Sequence, residues 1–145
     1  METSLNSTGP LVVERSYNAP VNKVWEALTE LEKLKQWYFD LAEFKPEVGF
    51  EFEFIAGDDK MQYRHLCRIT EVIPFKKIAY TWRYDGFPGD SKVSFEIAEE
   101  GAGSRVTITH TGLETFPDTP GFARSNFNGG WTYFIDKLKE FAEKG

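Results

Sequence analysis

The sequence predicts an α+β fold in which a curved antiparallel sheet wraps around one long C-terminal helix. Three observations carry that expectation. Helix-period and strand-period segments are segregated along the chain rather than alternating, which argues against a parallel doubly wound sheet. Residues from Phe44 to Gly112 repeat with period two. Near the end, Phe127, Trp131, Phe134, Leu138 and Phe141 follow 4, 3, 4, 3 spacing, which at about 100° per residue confines them to an arc of roughly 80°. So apolar a stripe has to be buried, and the concave face of the sheet is the surface available.

Leu11 to Tyr17, "LVVERSY", has strand composition and is stopped by "NAP". Val21, Val24, Trp25 and Leu28 then take helical spacing, so a short helix is expected from Pro20, a residue suited to a first turn. "TELE" (Thr29 to Glu32) matches a capping box. It opens a second short helix with Leu31, Leu34, Trp37 and Tyr38 on one face.

A run of about six strands should follow, for a sheet of about six to seven. Phe50, Phe52 and Phe54 alternate with glutamates; Tyr63, His65, Cys67 and Ile69 alternate with Arg64 and Arg68. Ile78, Tyr80, Trp82 and Tyr84 form the next inward set, then Val93, Phe95 and Ile97, then Val106, Ile108 and His110. One wet face and one covered face is the signature of an antiparallel sheet. The breaks "AGDD", "IPFKK", "DGFPGD" and "EEGAG" are turn chemistry. "DDK" (Asp58 to Lys60) and Glu99–Glu100 read as solvated hairpin tips.

Thr119 and Pro120 offer a cap and a first turn for the last helix. Gly129 and Gly130 interrupt it at a cost of roughly 1 kcal/mol each relative to alanine. Either the helix runs through them, or it restarts at Asn128. On the running phase Gly130 falls at the edge of the stripe near Phe134, where a missing side chain leaves room for a ligand or for close approach to the sheet. Gly129 points away and only loosens or bends the helix.

Length and charge bound the function. The 145 residues suit one domain, with residues 1–9 as a flexible start and 10–145 as the folded unit. Net charge is -6 with scattered cations, which removes the electrostatic footprint of a nucleic-acid binder and disfavours anionic membrane surfaces. A single cysteine, Cys67, no signal-peptide pattern and no apolar run long enough to span a bilayer imply a cytoplasmic protein without an integral membrane segment. Aromatic residues reach 16%, 13 of them Phe, which points to a wide core or a lined cavity between sheet and helix.

The candidate ligand-binding set is therefore Phe52, Phe54, Tyr63, His65, Tyr80, Trp82, Tyr84, Phe95, Ile97, Ile108 and His110 from the sheet. Trp37 joins them from the second short helix, and Phe127, Gly130, Trp131 and Phe134 from the last. His65 and His110, the weak catalytic candidates, are either general acid–base groups or neutral imidazoles satisfied by neighbours. Tyr63, Tyr80 and Tyr84 either orient a ligand or are satisfied inside the core. The ligand spacings of a metal site are missing, no phosphate loop precedes a helix, and no inward carboxylate pair supports a hydrolase; no cofactor is expected. Cys67 fits a buried apolar role better than that of a nucleophile.

"ERSYNAPVNKVWEALTELEKLKQWY" resembles the opening signature of the SRPBCC superfamily, the START-like or birch-pollen-allergen-like helix-grip fold. Within it the chain is similar to the branch named after the C-terminal domain of the activator of the ninety-kilodalton heat-shock protein (Hsp) ATPase. Arg15, Ala19, Pro20, Val24, Trp25, Thr29, Leu34, Gln36 and Trp37 carry that likeness. "TEVIPFKKIAYTW", "GSRVTITHTGL" and "GGWTYFIDKLKEF" extend it from Leu11 to Phe141. The resemblance implies an apolar cavity that in relatives holds lipids, sterols, polyketides or other hydrophobic molecules, so 10–145 is expected to be a single START-like domain. Some relatives are enzymes and the name-giving one is a co-chaperone. The resulting expectation is a binder of a lipid, sterol, polyketide or aromatic metabolite. The alternatives are a cyclase-like or dehydratase-like enzyme using His65 or His110, and a co-chaperone-like module, for which no apolar surface stripe speaks.

Overall fold

The computed structural model describes residues 9–39, 41–57, 62–117, 122 and 124–144. The flexible start expected for residues 1–9, apart from its last residue, the hairpin tip at 58–60 and the helix cap at Thr119 and Pro120 lie outside the described residues. Strand β1 (Leu11–Tyr17) leads into helices α1 (Val21–Thr29) and α2 (Leu31–Trp37). Strands β2 (Glu51–Gly57), β3 (Gln62–Ile73), β4 (Lys77–Tyr84), β5 (Ser91–Glu100) and β6 (Gly103–Thr111) follow, then a 3-10 turn (Leu113–Thr115) and α3 (Arg124–Lys144).

All strand pairs are antiparallel, in the order β1-β6-β5-β4-β3-β2. The fold is thus the α+β arrangement expected, a six-stranded curved sheet carrying a long C-terminal helix. Among the described residues five strands follow the helices, against the run of about six expected. Residues 44–50, read as the start of the alternation, are irregular because Gly49 sits at φ 95, off the extended path, with its N–H on the Ile69 carbonyl at 2.8 Å. The strand alternation holds: Phe52, Phe54, His65, Cys67, Tyr80, Trp82, Tyr84, Phe95, Ile97, Val106, Ile108 and His110 are buried on the inner face.

The capping box is not formed. Thr29 is still inside α1, and its hydroxyl turns back to donate to the Trp25 carbonyl at 2.7 Å. Glu30 is instead the hinge shared by both helices, extended at φ -95 and ψ 124, with no side-chain cap bond. A threonine whose methyl is buried gains more by bonding its own helix than by facing outward to cap the next. Trp37 joins the pair, donating from Nε1 to the Ala27 carbonyl at 2.8 Å.

Helix α3 runs through Gly129 and Gly130 without restarting at Asn128. Its buried line is Phe127, Trp131, Ile135, Leu138 and Ala142, while Phe134 and Phe141 are only half-buried. The stripe keeps Phe127, Trp131 and Leu138 but is rotated by about 40° from the expected one, with the branched Ile135 and the small Ala142 buried in place of the two phenylalanine rings. Tyr17 fixes this phase by donating its hydroxyl to the Ile135 carbonyl at 2.5 Å. Beside it, Arg15 Nε meets Asp136 at 3.0 Å and the Asn18 amide donates to Glu143 at 2.6 Å.

Candidate functional site

The strand register builds the site. Phe54, His65 and Tyr84 are consecutive cross-strand partners on β2, β3 and β4, so their rings form a row on the inner face. Between this row and the first half of α3 lies a cleft of about 390 Å³, within the usual range for small-molecule sites. Phe39, from the chain just after α2, packs into its inner end, stacked on Phe54 with centroids 4.1 Å apart. Trp82, Trp131 and Phe134 supply further ring walls, and Ala56, Gly57 and Gly130 leave the rim low. Among the described residues, none of those lining it carries a charge.

His65 is held on one side only. Its ring stacks on Phe54 at 4.5 Å and meets Trp82 and Tyr84 edge-on at 5.0 and 4.7 Å. Nδ1 lies 2.9 Å from the Tyr63 carbonyl oxygen. Burial outweighs that carbonyl and a weaker contact with the Phe54 backbone, and pushes the imidazole down to about 4, so it is neutral at neutral pH. Tyr84 accepts a hydrogen bond from Trp82 Nε1 at 2.8 Å, and burial raises its phenol well above the ordinary value.

His110 is closed off. It is fully buried behind Trp131, and burial pushes it down to about 3. Trp131 Nε1 can only donate, so His110 Nδ1 accepts at 2.9 Å and the ring proton sits on Nε2. That proton goes to Ser91 Oγ at 2.8 Å, and the Ser91 hydroxyl donates onward to the Trp82 carbonyl at 2.7 Å. The chain Trp131 to His110 to Ser91 to Trp82 is complete and leaves nothing to offer a ligand.

Of the expected site residues, Tyr63, His65, Trp82, Tyr84, Phe127, Gly130, Trp131 and Phe134 line the cleft together. Phe52, Phe95, Ile97 and Ile108 pack in the core, Trp37 ties α2 to α1, and Phe54 lies beneath Phe39 and His65. Tyr80 spends its hydroxyl on Tyr38 at 2.7 Å. Cys67 is buried, with its thiol pushed up by desolvation. Phe39, Ala56, Gly57, Phe122 and Asn126 line the cleft without having been expected there. Phe39 carried a usable signal, an aromatic two residues past the end of α2, but its inward turn depends on the loop path. Among the described residues no three His, Cys, Asp or Glu side chains gather to hold a metal ion.

A larger concavity, about 800 Å³, lies beside the β3–β4 turn between Phe75, Lys77, Glu96 and Arg105. Arg105 pairs there with Glu14 and Glu100 and Lys77 with Glu71, and Lys76, Glu96 and Glu99 also line it. It is open surface rather than the space between sheet and helix.

Comparison with known proteins follows the same lines. Residues 18–143 match the family described as Activator of Hsp90 ATPase homolog 1-like protein. No curated protein matches the chain. Among solved structures, protein MLL2253 from Mesorhizobium loti is 26% identical over 94% of this chain and 98% of its own, with a TM-score of 0.76. Protein BH1534 from Bacillus halodurans is 27% identical over 93% and 97%, with a TM-score of 0.71. DynU16, a protein of the dynemicin biosynthetic locus, shares the fold at 22% identity over 91% of this chain and 46% of its own, with a TM-score of 0.75. The chain belongs to the Activator of Hsp90 ATPase homolog 1-like family, whose match spans nearly its whole length.

Proposed function

We propose that this member of the family binds a small, uncharged, hydrophobic molecule in the cleft between β2–β4 and the first half of α3. The observation that carries the reading is an open cleft of about 390 Å³ whose described lining consists mainly of rings and carries no charged side chain. Burying a flat apolar molecule against such walls gains roughly 25 cal/mol per Å² removed from water, and edge-on and offset ring contacts add to it. The fold provides the same kind of space that the family resemblance implies, and helix α1 and strand β1 keep α3 in place while it covers that space. No described helix is long and apolar enough to cross a membrane.

Acid–base catalysis at neutral pH is a poorer use of the site. His110 is sealed, and His65, pushed down to about 4, is a weak base against most carbon or oxygen acids. Native mass spectrometry with thermal-shift screening of lipids, sterols and aromatic metabolites tests the binding reading. The expected result is one class of flat aromatic stabilisers that stays bound in the gas phase. A screen in which no apolar compound raises the melting temperature defeats it.

A further inference from the structure

The floor of the cleft presents two polar groups side by side. His65 and Tyr84 are register partners across β3 and β4, with ring centroids 4.7 Å apart. The Tyr63 carbonyl oxygen beside His65 Nδ1 can only accept, so Nδ1 carries the ring proton and Nε2 keeps its lone pair. Among the described residues no hydrogen bond reaches Nε2, the Phe54 backbone contributing only a weaker contact to the ring, and no polar side-chain atom is both fully buried and unpartnered. Nε2 is therefore exposed, and the space it is exposed to is the cleft it lines. The Tyr84 hydroxyl already accepts from Trp82 Nε1, which leaves its own proton to donate. An unused acceptor and an unused donor thus stand on neighbouring rings of the cleft wall.

Resting on the reading of the cleft as a binding site, we propose that its ligand class is the uncharged phenol: a flat aromatic whose hydroxyl donates to His65 Nε2 and accepts from Tyr84. A hydroxyl is the smallest group that does both at once. The other common headgroups fail on the same inventory. A carboxylate brings lone pairs toward the Nε2 lone pair, and among the described residues no cationic side chain lines the cleft to compensate. A ketone or methyl ether satisfies Tyr84 but leaves Nε2 desolvated and unpaired, and a hydrocarbon leaves both so, a penalty that discriminates more strongly than an extra apolar contact. The walls fit the rest of the molecule, since Phe39, Trp82, Trp131 and Phe134 offer ring faces and edges rather than flexible aliphatic chain. Both polar groups stay in the required protonation state at neutral pH, His65 unprotonated and Tyr84 protonated.

Four probes of one shape test it on the full chain at pH 7: 2-naphthol, 2-methoxynaphthalene, naphthalene and 2-naphthoate. Titration followed by tryptophan fluorescence and by the His65 ring nitrogen resonances is expected to rank 2-naphthol first, with affinity ~10-fold above its methyl ether, the worth of about one net hydrogen bond. The carboxylate should rank last, and 2-naphthol should shift the Nε2 resonance. His65→Phe keeps the ring that stacks on Phe54 and should bring 2-naphthol down to the level of the ether, while Tyr84→Phe should cost several-fold. If either variant fails to fold, the ratio of 2-naphthol to 2-methoxynaphthalene on the native chain decides by itself. Equal affinity for those two, with both bound, overturns the phenol assignment and leaves hydrophobic binding standing. No binding of any of the four overturns both.

Discussion

The space between sheet and α3 has two ends built on different principles. Beside β1 the helix is fastened: Tyr17 donates to the Ile135 carbonyl, Arg15 pairs with Asp136, the Asn18 amide bonds Glu143, and Ile135 and Leu138 are fully buried between them. Beside β2–β4 the helix meets the sheet through rings around a cleft, and its Gly129 and Gly130 face open space. The two histidines repeat the contrast. His110 has both nitrogens consumed, by Trp131 and Ser91, while His65 has one consumed and one open. A single amphipathic helix can thus seal a core along half its length and roof a site along the other half, provided the polar clasp is confined to the sealed half.

The largest expected effect of breaking that contrast is at Ile135. It has no exposed surface, so Ile135→Ala should remove about 2–5 kcal/mol of stability. Phe134→Ala, one residue along but half-buried on the cleft wall, should cost well under half of that despite deleting a larger side chain. Urea denaturation of the two variants gives both numbers. Equal losses would mean that the cleft end is packed as tightly as the clasped end.

Acid comes next, and it acts on both ends. Each histidine titrates lower in the folded chain, His65 at about 4 and His110 at about 3, than the ordinary value near 6.5. Below that ordinary value the unfolded chain takes up protons that the folded chain refuses, so stability falls as pH falls from there, levelling only near the folded values. Between pH 7 and 5.5 the loss should be about 1.2 kcal/mol per histidine, or about 2–3 kcal/mol for the pair. Glu14, Glu100 and Glu143 have lowered values, so the stability they contribute is lost only at more acid pH, through and below the usual carboxylate range. Denaturation midpoints at pH 7 and 5.5 read the effect, and His65→Phe should remove about half of the drop. A flat profile would show that the two rings are hydrated in the folded state.

The sequence made the inner sheet face legible down to single residues because a strand's period of two leaves each side chain only one choice of face. Every inward ring from Phe52 to His110 is on the face expected, and eight of the residues read as site residues do line the cleft. Helices were less legible. Phe134 and Phe141 outweigh Ile135 and Ala142 in an apolar pattern, yet the smaller pair is the buried one, since fit at close contact rather than ring size decides which residue faces in. Thr29 matched a cap by spacing, but spacing does not state where its hydroxyl turns. The open nitrogen of His65 and the closed ones of His110 were indistinguishable in sequence, because each depends on a partner distant in the chain or on a backbone carbonyl.

The smallest expected effect in stability is the sharpest in function. A methyl group added at Gly129 or at Gly130 would meet no atom within 4 Å, so neither glycine is required for close approach to the sheet. In a helix interior each costs stability, and Gly129→Ala should raise it by ~0.5–1 kcal/mol without changing uptake of 2-naphthol. Gly130 differs only in facing the cleft. Gly130→Leu should bring a comparable gain in helix stability, while its side chain projects over the mouth and lowers 2-naphthol affinity by about ten-fold, ~1.4 kcal/mol. Thermal melts and titrations on the same two samples separate the outcomes. If both variants are stabilised and both bind as the native chain does, the open space above Gly130 is not the route by which the cleft is filled, and entry would have to be sought past Ala56 and Gly57 at the end of β2.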